Sequence, residues 1–140
     1  MEATELYSII VFYLIAILGI MGTIFYLVSP FKAMGRFVKN FGIDFQRINT
    51  NGEKDQTSLK KFFNYFGSLL LGANYLALFA IWMAFHDHNQ LAWWSLTYYP
   101  IMFLWHFIIT NKEDKSRYGQ LVFLALTASA LGITYYVGIP

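Results

Sequence analysis

The sequence predicts an all-α membrane protein: four transmembrane helices in a single domain spanning residues 1–140, with an interfacial amphipathic helix in the first inner loop. Three observations carry that prediction. The chain is 57% hydrophobic and only 13% charged, whereas a soluble domain needs about a quarter of its residues charged to solvate its surface. Four long apolar runs cover about 6–28, 62–85, 91–110 and 119–138. The cations are confined to two of the gaps between them: seven of the 10 Lys and Arg lie within 31–61, and Lys112, Lys115 and Arg117 lie in the gap after the third run.

The N-terminal MEATELYS is acidic, and the 6–28 run that follows is too long for the apolar region of a cleavable leader, so the expectation is a permanent span. Its 23 uncharged residues reach about 35 Å at 1.5 Å per residue, more than a hydrocarbon core of about 30 Å. Ser29-Pro30 closes this span and suits the start of a new helix.

Over 31–48 the residues Phe31, Met34, Val38, Phe41, Phe45 and Ile48 recur at spacings of three and four, one face of a helix. Lys32, Arg36, Lys39 and Arg47 fall on other faces, and Phe37 adds a further ring. Rings in the acyl boundary and cations on headgroups describe a helix lying on the membrane; the same stripe also suits docking on a partner subunit. Gly35 and Gly42 weaken the helix in isolation.

Residues 49–57, NTNGEKDQT, read as a solvated loop, with Asn51-Gly52 as the turn and Ser58 as N-cap of the second span. The short polar link HDHNQ at 86–90 carries no Lys or Arg. The third span opens on Trp93-Trp94 and Tyr98-Tyr99, an expected aromatic belt, and holds Pro100, which should kink it or free a carbonyl. The fourth ends in Tyr135-Tyr136 at the same level. Positive charge inside then places both termini outside and the basic loops 29–61 and 111–118 inside, in a bacterial plasma membrane or an organellar inner membrane, and all the Lys and Arg obey that one arrangement.

Candidate chemistry is sparse. His106 stands about 9 Å inside the inner edge of the third span, and an ionisable group at that depth is a functional candidate by default. The plainest expectation is a neutral imidazole bonded to Tyr26, Ser68 or Thr127 at similar depth; an axial ligand of haem or another pigment is the sharper one, although the sequence requires no cofactor. His86-Asp87-His88 offers metal-ligand types, but three consecutive residues do not converge easily on one ion, and a polar loop is expected. Asn74 falls near mid-membrane and wants an interhelical partner. Gly67 and Gly72 on that helix, Gly19 and Gly22 on the first, and the four-spaced pairs Ala125/Ser129 and Ala128/Gly132 on the last are expected packing faces.

Several function classes are disfavoured. Without cysteine there is no disulfide, thiolate nucleophile or cysteine-held metal. All carboxylates lie outside the spans, which removes the embedded acid of a small antiporter and any paired acids. The cations flank apolar spans rather than forming a groove for nucleic acid.

The order of a first span, a long inner loop and a second span resembles the small three-helix subunit of proton-pumping NADH dehydrogenases, but without that family's loop cysteine and second-span acids and with one helix more. In size and basic loops the chain is also similar to small four-helix bacteriocin-immunity proteins. The aromatic-rich, acid-free spans, the absence of a soluble domain and an amphipathic loop suited to docking lead to one expectation and two alternatives. The expectation is a non-catalytic accessory subunit of a larger membrane complex, respiratory or transport-related, in contact with other membrane subunits and lipids. The alternatives are a stand-alone immunity or regulatory protein and a small oligomeric channel or carrier with Asn74 and His106 on its pathway.

Overall fold

The structure is a computed structural model that describes residues 3–29, 32, 35, 53–110 and 116–138, with the backbone alone at 53–56, 58, 59 and 116. The described chain is helical and contains no strand: α1 Ala3–Val28, α2 Glu53–Phe85, α3 Gln90–Ser95, α4 Tyr98–Ile109 and α5 Ser116–Tyr136. Three helical stretches among the described residues are long and apolar enough to cross a membrane, Ala3–Val28, Lys60–Phe85 and Arg117–Tyr136. At 26, 26 and 20 residues they reach about 39, 39 and 30 Å. These features are those of an integral membrane protein.

Each end has a local cause. The first turn of α1 carries Glu5, the favourable sign at a helix N-terminus. Its last turn closes through Ser29 N–H to the Phe25 carbonyl at 2.9 Å, immediately before Pro30, whose ring disfavours a helical residue ahead of it. α2 is helical from Glu53, which corrects the expected loop over 53–57 and places Ser58 inside the helix rather than at its cap, while 49–52 with the expected Asn51-Gly52 turn lie outside the described residues. Glu53, Lys54, Gln56 and Lys60 are good helix formers, and extending an existing helix avoids the cost of nucleation.

The link after α2 works as two caps. His88 adopts φ 49°, a left-handed conformation that lets the Asn89 N–H reach back to the Met83 carbonyl at 3.0 Å. The Asn89 side chain then accepts the Ala92 N–H at 2.9 Å and starts α3.

The third apolar run is interrupted, and Pro100 explains where. Proline has no N–H to give the carbonyl four residues back, Leu96, and its ring crowds that carbonyl. Leu96 is the last cap of α3, and its oxygen takes the Tyr99 N–H at 3.1 Å instead, in a tighter turn. Pro100 thus sits in the first turn of α4 rather than in the middle of a kinked helix. α4 has only 12 residues, about 18 Å. Its far end is held by Arg117, whose Nε donates to the Phe107 carbonyl at 3.0 Å while the guanidinium lies 4.1 Å from the Phe107 ring centroid. A cation there also suits the negative helix end. α5 ends through the left-handed Gly138, whose N–H reaches the Tyr135 carbonyl at 3.1 Å.

α1 packs against both α2 and α5, and α4 packs on α5. The core gathers around Phe12, fully buried, with ring centroids 6.1 Å from Phe85 and 5.8 Å from Tyr99. Ile15, Ile81, Trp93, Leu96, Phe103 and Leu131 complete it. Polar side chains fasten the same region: Ser8 Oγ donates to the Ala130 carbonyl at 3.0 Å, Tyr7 and Ser129 share a 3.1 Å bond, and Trp93 Nε1 donates to Thr134 Oγ1 at 2.9 Å.

Candidate functional site: the mid-bundle polar level

Asn74 meets α1 at a glycine. Its Nδ2 donates to the Leu70 carbonyl one turn back at 2.9 Å. Its amide lies so close to Gly19 that a Cβ added there would fall 2.9 Å from Asn74 Cγ and closer still to Oδ1. Asn74 therefore lies against the bare backbone of α1, in a position a side chain at residue 19 would displace. Gly67 plays a milder version of the same part: a Cβ there would sit 3.1 Å from Leu27 Cδ2 and 3.3 Å from Tyr26 Cβ.

The remaining expected packing positions are exposed among the described residues. A Cβ at Gly72, Gly22 or Gly132 would meet nothing within 4 Å, and Ala125, Ala128, Ser129 and Gly132 form an exposed strip on α5. The reason is rotational: α5 turns Thr127, Ala130, Leu131 and Thr134 inward, where the threonine hydroxyls bond their own helix carbonyls. Ser129 alone touches α1, through Tyr7.

His106 is exposed on α4. Its carbonyl takes both the N–H and the Oγ1 of Thr110, at 2.9 and 2.6 Å, but its imidazole enters none of the hydrogen bonds among the described residues. The three hydroxyls expected near it are engaged elsewhere or lie against rings: Ser68 donates to the Asn64 carbonyl, Thr127 to Phe123, and Tyr26 stacks on Phe63 with centroids 6.3 Å apart. The expected neutral, bonded histidine is thus replaced by one on the outer surface of the chain. His86 lies over Trp82, ring centroids 4.3 Å apart.

The aromatic belt is only half a belt. Trp94 and Tyr98 are exposed, but Trp93 and Tyr99 turn into the core at 3% and 5% exposure, because adjacent helical residues face about 100° apart. Arg36, Phe37, Lys39, Phe41, Phe45 and Arg47, with the expected interfacial helix, lie outside the described residues; Lys32 is helical and exposed.

A cavity of about 270 Å³ opens beside the Asn74–Gly19 contact, between α1, α2 and α4. Ile15, Gly19, Asn74, Ala77, Tyr99 and Phe103 contribute to its wall, and His106 does not. The Tyr99 hydroxyl is buried and has no hydrogen-bond partner among the described residues. Sequence reasoning missed Tyr99 by grouping it with Tyr98 at the interface; its place directly before Pro100, in the turn that reorients the run, was the available signal.

No family model matches this chain, and comparison with the curated proteins and with solved structures gave no match. The class defined by the fold is an α-helical integral membrane protein with three candidate spans.

Proposed function

We propose that this chain is a non-catalytic accessory subunit of a larger integral membrane complex, of respiratory or transport type. In this reading it crosses the bilayer four times, using α3 and α4 together as a broken third span, with both termini outside and the basic loops inside. Non-helical backbone at membrane depth is tolerated where protein covers it, and Leu96 at the break is 1% exposed.

One observation carries the reading. The small residues Ala125, Ala128 and Gly132 of α5 are exposed among the described residues, with Ser129 between them bonding Tyr7 of α1, and a Cβ at Gly132 would meet nothing within 4 Å. Between helices in lipid, association rests on close packing rather than on exclusion of water, and small residues are what permit it. A face of small residues that stays largely exposed among the described residues fits a helix of another subunit. The basic 31–48 segment, with its apolar stripe, would add lipid and partner contacts at the membrane surface.

The test is a pair of substitutions on that strip. Ala128→Leu and Gly132→Leu add volume where the chain itself has room, so the subunit should still fold and accumulate, and its co-purifying partners should be lost. Unchanged partner stoichiometry in both variants would remove α5 as the docking face.

A further inference from the structure

We infer that the cavity between α1, α2 and α4 is a binding site for a neutral, bilayer-soluble ring compound bearing a carbonyl acceptor. The first argument is the unpartnered phenol. A buried tyrosine hydroxyl usually finds a partner, and leaving one unmade is expensive in an apolar interior. Tyr99 contributes to the cavity wall, and its hydroxyl is buried without a partner among the described residues. As a donor held in an apolar setting, it selects an acceptor brought in by a ligand. In the bound state the ring turns outward from its place beside Phe12 to present it.

The second argument is a further donor on another wall. Asn74 commits Nδ2 to the Leu70 carbonyl, and an amide nitrogen carries two hydrogens. One hydrogen therefore remains for a second acceptor, from α2 where Tyr99 stands on α4. The position of Asn74 is fixed by its seat on Gly19.

Size, lining and depth define the rest. An apolar cavity of about 150 Å³ accommodates benzene; this one, at about 270 Å³, has room for a substituted ring with the start of a tail. Phe103 and Phe123, whose rings stack with centroids 5.2 Å apart, and Tyr98 provide flat surfaces. Among the described residues no carboxylate, histidine or cation lines it, which favours an uncharged occupant. Ile15 and Gly19 lie near the middle of the 26-residue α1, so phospholipid ester groups at the bilayer surface do not reach this level, whereas a neutral ring compound dissolved in the hydrocarbon does. Leu18 and Ala73, both exposed, form the lateral mouth.

The experiment uses the full chain in nanodiscs and a radiolabelled 1,4-benzoquinone with a decyl tail, counted against protein-free nanodiscs. Saturable binding of one probe per chain is expected. Tyr99→Phe, which removes one oxygen and keeps the ring, should weaken it on the order of tenfold without lowering the unfolding midpoint. Ala77→Phe should fill the cavity and abolish binding. Decylbenzene, the same tail without carbonyls, should compete on the order of tenfold more poorly. Absence of saturable binding, equal affinity in Tyr99→Phe, or equal competition by decylbenzene (the mark of a slot for any acyl chain) would each overturn the assignment.

Discussion

The two halves of α1 meet their neighbours in different ways. Near its start, Ser8, Phe12 and Ala16 are fully buried, and the contacts interlock: a phenylalanine between two other rings, and hydroxyls reaching across to α5. At Gly19 α1 approaches α2 through bare backbone under Asn74, with a cavity alongside, and ring packing resumes only at Tyr26 against Phe63. The α3 end of the bundle is thus specified by directional bonds and ring packing, and the middle by a single steric fit that leaves space. In lipid, where apolar residues gain little from leaving the solvent, that difference separates a part that fixes the fold from a part free to hold something else.

Emptying one side of each region should separate the two most strongly. Phe12→Ala should destabilise the protein by about 3 kcal/mol, whereas Leu18→Ala, at an exposed cavity rim, should shift it little. Unfolding titrations in mixed micelles measure both; equal losses would mean that the two regions are packed alike. Gly19→Ala comes next, because its Cβ cannot fit against the Asn74 amide. About 1 kcal/mol should be lost once the better helix propensity of alanine is set against the displaced amide, and most of it should return in the double variant Gly19→Ala, Asn74→Ala, a non-additivity that identifies the pair. Smaller still is the coupling between Trp93 and Thr134 across α3 and α5, read from the cycle of Trp93→Phe and Thr134→Val; bonds of this kind between helices in lipid are worth about 0.6 kcal/mol. Gly72→Ala should not destabilise at all, since its Cβ meets nothing within 4 Å, and better helix propensity contributes up to about 1 kcal/mol in its favour.

The helical architecture was readable from composition and run length because lipid leaves few other choices to a backbone that must satisfy its own hydrogen bonds. Pro100 also marked the interruption, though its effect falls four residues earlier, on Leu96, where the lost N–H is felt. Rotation of the helices was not readable. Near-uniform hydrophobicity gives no face, so the small residues of α5 were expected inside when Thr127 and Thr134 are, and His106 was expected to find a hydroxyl when it faces outward. Threonine is legible in hindsight: its hydroxyl bonds its own helix carbonyl and leaves a methyl to pack. Tyr99 and Trp93 show the same limit, since nothing in a Tyr-Tyr or Trp-Trp pair says which ring turns inward.

The central claim is that the outward strip of α5 belongs against another subunit, and native mass spectrometry after gentle extraction tests it most directly. The account predicts this 16.2 kDa chain in fixed stoichiometry with different membrane subunits, and the loss of those subunits in Gly132→Leu. A lone chain, or copies of this chain only, would contradict it.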